Sequence, residues 1–249
     1  VLSRFVRAYQ KVQPLMIGEL WAVAITLRIV LVENMRRLAM QIVDGNAQRQ
    51  HADAIVNAVL GAEKTAGQSQ LSVMQVAVER YQTEPIPHFV AAQIAQRMRG
   101  YDPEQTPLSS WLEDRLQRQG TTTADVVAHA QTRLAASNVT MRNIVTSMRL
   151  LSEMDWADFF EEVSLVDAHL RDGSSFGNMD FATRNRYRTA IEIVARRTDH
   201  TEIEVAEISM ALAAAGDTDH SRDPGYWLID AGRAALEERL NYSPSRRLR

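Results

Sequence analysis

Residues 15–43 read LMIGELWAVAITLRIVLVENMRRLAMQIV, and this stretch decides the fold class. Its most apolar part, Leu20–Val32, carries a single charge, Arg28, and Glu19 stops it from being extended backwards. A bilayer-spanning helix takes about 20 apolar residues, so this run is too short to be one. The reading that remains is a helix apolar around its whole circumference, which belongs in the centre of a helical body. Buried there, Arg28 would need a carboxylate partner, because an isolated buried charge is very costly. Glu33 and Arg37 form an i,i+4 pair on the outer side. Asp44-Gly45 is expected to end the helix.

Working outward, helical periodicity and chain breakers divide nearly the whole sequence. A short helix runs to about Val12 and stops before Pro14. Weaker helices cover about Ala47–Ala62 and Ser69–Gln82, with Thr65-Ala66-Gly67 as the loop between them. Pro85 and Pro87 break the chain before a helix that ends at Gly100. Pro107 suits the first turn of the next helix, where its missing N–H costs nothing, and Gly120 closes it. Thr121-Thr122-Thr123 offers a cap to a helix running or kinking through Asn138 toward Met154. Asp155 opens a helix with Trp156, Phe159, Phe160, Val163, Val166 and Leu170 inward. After the Gly173 and Gly177 loop, Asp180 caps Phe181–Arg197. Thr201-Glu202-Ile203-Glu204 is a capping-box pattern for the helix that ends near Gly216, and a last helix spans about Pro224–Leu240. No segment alternates with period two between hairpin turns. The sequence therefore predicts an all-α, multi-helix bundle around the long apolar central helix, with no sheet. It predicts one domain, 1–249, with two lobes, 1–120 and 121–249, that would meet near Gly120.

Composition narrows the function. Apolar residues make up 45% of the 249, enough for a sizeable core rather than a disordered tail. The net charge of −3 argues against nucleic acid as a partner, which calls for a basic footprint. The absence of cysteine excludes disulfides, thiolate metal sites and cysteine nucleophiles. Of 28 basic residues only Lys11 and Lys64 are lysines; codon preference explains this more simply than selection for bidentate pairing. The chain opens at Val1 in mid-pattern, with Leu2, Phe5, Val6 and Tyr9 at helical spacing, and closes on the basic run Arg246-Arg247-Leu248-Arg249. It reads as a piece of a longer protein, without a transmembrane segment of its own.

Candidate chemistry is thin. Asp155, Asp158, Glu161 and Glu162 resemble paired catalytic carboxylates, but a solvated helix start that favours acidic groups explains them better. Asp217-Thr218-Asp219 has the D-x-D form of nucleotide-sugar sites, yet it sits in a polar loop with no strand before it. The six histidines are scattered and show no ligand spacing, so neither a metal nor a cofactor is predicted. Arg184, Arg186 and Arg188 cluster near a helix start and suit a phosphate or an acidic partner. The plainer reading pairs Glu192 with Arg188 and Arg196, and sends the others to the acidic stripe of the preceding helix. Trp21, Trp111, Trp156 and Trp227 fit core positions better than sugar-stacking platforms, with Trp227, after Asp223-Pro224-Gly225-Tyr226, the best exception.

Four stretches look familiar. FVRAYQKVQPLMIGELWAVAITLRIVLVENMRRLA (Phe5–Ala39), NVTMRNIVTSMRLLSEMDWADFFEEVSLVDAHLR (Asn138–Arg171), MDFATRNRYRTAIEIVAR (Met179–Arg196) and the block Arg222-Asp223-Pro224-Gly225-Tyr226 with Leu228-Ile229 occur in this order. Together they resemble the N-terminal cytoplasmic helical region of bacterial cyclic β-1,2-glucan synthases; the middle, about Ala47–Gly120, is less distinctive. The resemblance implies a very large inner-membrane parent that uses UDP-glucose as substrate, builds a protein-linked β-1,2-glucan, trims it and closes it into a ring. It places this chain on the cytoplasmic face, before the glycosyltransferase and its first membrane segments. The basic tail agrees, since cytoplasmic residues beside a membrane helix tend to be positive. A glycosyltransferase's acidic site after a strand and its Q-x-x-R-W motif are absent, so no catalytic residue carries over. The expected role is a non-catalytic accessory scaffold that docks other domains of the same polypeptide, through a surface around Trp156, Arg184, Arg186, Arg188 and Trp227. The alternatives are a β-1,2-glucan-binding module that holds the growing chain and an independent hydrolase.

Overall fold

Where capping residues and breakers are strong, the chain folds as its sequence reads. In a computed structural model, which describes residues 1–62, 69–101 and 106–244, every regular element among the described residues is helical. The expected Thr65-Ala66-Gly67 loop and the basic run Arg246–Arg249 lie outside the described residues. The helices are α1 (Leu2–Gln10), α2 (Ile17–Ala62), α3 (Gln70–Ala77), α4 (Arg80–Thr83), α5 (His88–Arg97), α6 (Pro107–Arg118), α7 (Thr123–Glu153), α8 (Trp156–Val163), α9 (Leu165–Arg171), α10 (Phe181–Ala195), α11 (Glu202–Ala214), α12 (Pro224–Ile229) and α13 (Arg233–Arg239). Pro107 stands in the first turn of α6. Asp180 caps α10 by accepting from the Thr183 N–H at 2.9 Å. Thr201 and Glu204 close a reciprocal box at the start of α11. Each such cap satisfies backbone donors that a helix start leaves open.

The long helix departs most from expectation. Asp44-Gly45 does not end it: α2 continues through Gly45 for 46 residues, since one interior glycine costs a helix only about 1 kcal/mol. Nor is it a buried central rod. Between Ile25 and Val43 only Leu38 is buried, while Ile29 is 62% and Val43 65% exposed. Arg28 is exposed and needs no carboxylate; its guanidinium lies 5.8 Å from the Trp156 ring centroid and donates to the Leu151 carbonyl at 3.3 Å. Three other expected helices break, the first being Ser69–Gln82, which divides into α3 and α4. Ser164, in extended backbone, closes α8 and caps α9 through its hydroxyl, which accepts from the Asp167 N–H at 3.1 Å. The last helix is interrupted after Ile229. There Gly232 packs so tightly on Tyr226 that a Cβ would lie 2.6 Å from the ring.

The chain forms two compact units, and their boundaries do not fall near Gly120. The first is Val1–Arg28 with Leu151–Arg249; the second is Ile29–Leu150. Unit 1 buries Phe160, Leu170, Phe176, Ile191, Leu228 and Leu236. Its α1 is tied to α8 by buried Gln10, which donates to the Val163 carbonyl at 2.8 Å, and by Arg7 and Glu162 at 2.9 Å. The first N–H of α2, on Ile17, is satisfied by Glu202 at 2.6 Å, a partner 185 residues away. Burial, foremost, raises the pKa of that carboxyl. Unit 2 buries Val56, Val59, Tyr81, Ile94, Leu108 and Leu116.

Candidate functional site

The arginines at the start of α10 divide by helical position. Arg184 and Arg188 are four residues apart and point the same way, toward α8 and α9. Arg186 lies between them in sequence, is exposed, and makes no hydrogen bond or ion pair among the described residues. Arg188 is completely buried, so it belongs to no surface. Its Nε and Nη2 bind both oxygens of buried Asp167 at 2.9 and 2.6 Å, and Nη2 also reaches Glu161 at 3.0 Å. Arg184 meets Glu161 at 2.9 Å, and Arg171 reaches Glu161 at 3.3 Å and Asp167 at 3.6 Å.

Three cations therefore surround two carboxylates, and aromatic faces absorb the surplus positive charge. The Arg188 guanidinium lies 4.8 Å from the ring centroid of Phe160, 5.1 Å from Phe181 and 5.9 Å from Phe176. Trp21 stacks on the same Phe160 at 4.5 Å. Burial opposes the charge of Arg188, but Asp167 and Glu161 outweigh it and raise its pKa. Glu192, the partner expected from i,i+4 spacing, pairs among the described residues with Arg196 and not with Arg188. The acidic stripe of the preceding helices does receive Arg184, as the sequence suggests, but it also takes Arg188, expected on Glu192, and not Arg186. Spacing along one helix missed Asp167, because its approach depends on the break at Ser164.

A second polar knot was not visible in the sequence beyond its proline. Asp223, which caps α12, accepts from Gly225 N–H, Tyr187 Oη–H and Ser175 Oγ–H, each at 2.7 Å. Burial pushes the Asp223 carboxyl up, but these three donors prevail and hold it below the usual carboxylate range. Burial and the neighbouring carboxylate push the Tyr187 phenol well above its ordinary value. Only glycine fits at 225, since a Cβ there would lie 2.0 Å from Tyr187 Oη.

The remaining candidates are internally occupied. Trp156 is half-buried, with its indole N–H donating to Leu151 O at 2.9 Å; Trp227 is likewise half-buried and donates to Ser221 O at 2.9 Å. In the D-x-D loop the Asp219 side chain is fully exposed and meets only Arg222, at 3.5 Å. Glu162 holds Arg7 and Asp155 caps α8, so the acidic helix start forms no facing pair of carboxylates. Among the described residues no cluster of histidine and carboxylate side chains is arranged to hold a metal ion. No helix there is long and apolar enough to cross a membrane.

These observations define a class: a helical protein whose strongest polar clusters bind its own elements together. No family model matches the chain. Over 98% of its length it is 38% identical to the cyclic beta-(1,2)-glucan synthase NdvB of Rhizobium meliloti (strain 1021), and it spans 9% of that protein. The likeness carried by the four quoted stretches thus extends through the middle of the chain as well, and the chain is a relative of one part of a cyclic β-1,2-glucan synthase.

Proposed function

We propose that this chain is a non-catalytic accessory module of a cyclic β-1,2-glucan synthase, a scaffold on which other parts of the same polypeptide pack. In this reading UDP-glucose is used elsewhere in the synthase, and the module lies N-terminal to the catalytic parts, at the cytoplasmic face of the inner membrane. The observation that carries it is the uncovered face of α2 in unit 2. Ile29, Val32, Ala39 and Val43 are all exposed, and with Arg36 they fall at alternating spacings of three and four. That is the seam spacing by which one helix receives another. A chain that leaves such a seam open while directing Arg184 and Arg188 to its own carboxylates is built to be packed against.

The test uses the full-length synthase. Deleting residues 1–249 is expected to abolish glucan output, and the triple variant Ile29→Ser, Val32→Ser, Val43→Ser to lower it while the protein still inserts in normal amount. Undiminished output from both would refute the scaffold. So would hydrolysis or transfer of glucan by this chain alone.

A further inference from the structure

One side of unit 2 carries positive charge that no carboxylate among the described residues neutralises. Three clefts run on from one another where α2, α5 and α7 meet: Arg49 and Phe89 line the first and second, Gln41 and Arg133 the second and third. Arg99 lines the first and Arg37 the third, and among the described residues no aspartate or glutamate lines any of them. Arg37 shares the one carboxylate of Glu33, at 3.1 Å, with Arg36. The other three have no carboxylate partner among the described residues. Arg49 donates to the neutral amide oxygen of Asn46 at 3.2 Å, and the side chains of Arg99 and Arg133 make no ion pair or hydrogen bond among the described residues. Asp53, which holds Gln93 at 2.9 Å, is also paired with Arg97 at 3.3 Å.

Arg49 and Arg133 converge on one aromatic ring, their guanidinium carbons 5.7 and 5.3 Å from the Phe89 centroid. Two like charges held on one side chain repel unless an anion joins them. The chain as a whole carries −3, so this cleft is a local reversal of sign, the arrangement that draws in anions. Amide groups of Gln41, Gln96, Gln131 and Asn138 add neutral donors along the walls.

We propose that this groove binds a phosphate-bearing small molecule, with Arg49 and Arg133 as its two forks and Arg99 as a third contact. Guanidinium forks match the several oxygens of a phosphoryl group, and a diphosphate offers enough oxygens for two forks at once. The assignment stands apart from the scaffold reading and does not depend on it.

Calorimetric titration of the full 249-residue chain with inorganic pyrophosphate, and in parallel with a nucleoside diphosphate, tests it. Saturable binding that weakens with salt is expected from both if the phosphates suffice, and from the nucleoside diphosphate alone if the ester is needed. The Arg49→Gln, Arg133→Gln variant, which removes both forks, is expected to bind about a hundredfold more weakly, about tenfold for each charge-assisted contact. Arg133→Lys, which keeps the charge but loses the fork, should fall between. Arg186→Gln, at an exposed arginine of unit 1, should bind as the parent does. No saturation at millimolar concentrations of either ligand, or an equal loss in Arg186→Gln, overturns the proposal. A neutral β-1,2-linked glucan that binds the parent and is weakened by the same arginine variant overturns it as well.

Discussion

The two units solve the problem of making one fold in different ways. Unit 1 buries Gln10, Ser164, Asp167, Arg188, Thr198, Glu202 and Ser209, whereas the buried polar residue in the described part of unit 2 is Thr106. Unit 1 is specified by polar geometry: a carboxylate at 167 fits only if the chain turns at Ser164, and Tyr187 can lie over residue 225 only if that residue is glycine. Unit 2 is specified by aliphatic volume, through residues such as Val56, Ile94, Leu108 and Leu116. A core of the second kind tolerates exchange among similar shapes; a core of the first kind does not. This difference accords with the recognisable stretches, all four of which lie wholly or mainly in unit 1, while the less distinctive middle lies in unit 2.

The contrast is broken most severely at Arg188. Arg188→Leu takes the bidentate partner from buried Asp167, leaving it only Arg171 at 3.6 Å among the described residues, and a loss of about 3–5 kcal/mol is expected in unit 1. Urea unfolding followed by tryptophan fluorescence reads it, because Trp21, Trp156 and Trp227 all lie in unit 1. Replacing Arg188, Asp167 and Glu161 together by apolar residues of similar volume should recover much of the loss. A single Arg188→Leu that unfolds at the parent's midpoint would show that the cluster contributes no stability.

In unit 2 the comparable injury is a cavity. Leu116→Ala, at a fully buried position, should cost about 2–5 kcal/mol. The cost should be the same at pH 5 and pH 8, since no titrating group is involved. Amide exchange of the Leu112 and Leu116 region reads it without relying on tryptophan.

The Asp223 knot sharpens the contrast through pH. Tyr187→Phe removes one of three donors to Asp223 and should cost about 1–2 kcal/mol. Asp223 has a lowered folded-state pKa, so its contribution is complete above the unfolded value of about 4 and is lost as pH falls through the lower one. Tyr187 has a raised one, so its contribution is complete below about 10 and is lost as the unfolded phenol ionises. Unit 1 should therefore loosen at both extremes, and the Tyr187→Phe variant should lose the alkaline arm and, with one donor to Asp223 gone, show a smaller acid one. A parent whose stability is flat on the alkaline side would remove Tyr187 from this account.

What the sequence made legible follows the same division. Caps with a mechanism were readable: Asp180 before α10, the Thr201–Glu204 box, Pro107 in α6. Breaks made by serine or by a packed glycine were not, because Ser164 and Gly232 act through partners that no local pattern reveals. For the arginine triplet the sequence offers both an internal and a surface reading: Arg184 meets the acidic stripe as the internal one has it, Arg188 is internal but on Asp167 and Glu161 instead of Glu192, and Arg186 alone of the three is exposed. The Phe89 groove was missed altogether, since Arg49, Phe89 and Arg133 are far apart in sequence and meet only when α2, α5 and α7 assemble.

The smallest expected effect bears on the largest misreading. The stretch 15–43 counts as a central rod only if its apolar residues are covered, and counting them cannot show whether they are. If Ile29, Val32 and Val43 were core, changing each to alanine would cost about 2–5 kcal/mol. Exposed as they are, each change removes little buried area, and alanine is the better helix former by up to about 0.7 kcal/mol. The triple alanine variant of this chain should therefore unfold at the parent's urea midpoint or slightly above it. A clearly lowered midpoint would mean that another surface, a second copy of the chain included, already covers the seam in solution. An unchanged midpoint together with lost glucan output in the full-length synthase would mean that the seam's partner belongs to the rest of that polypeptide.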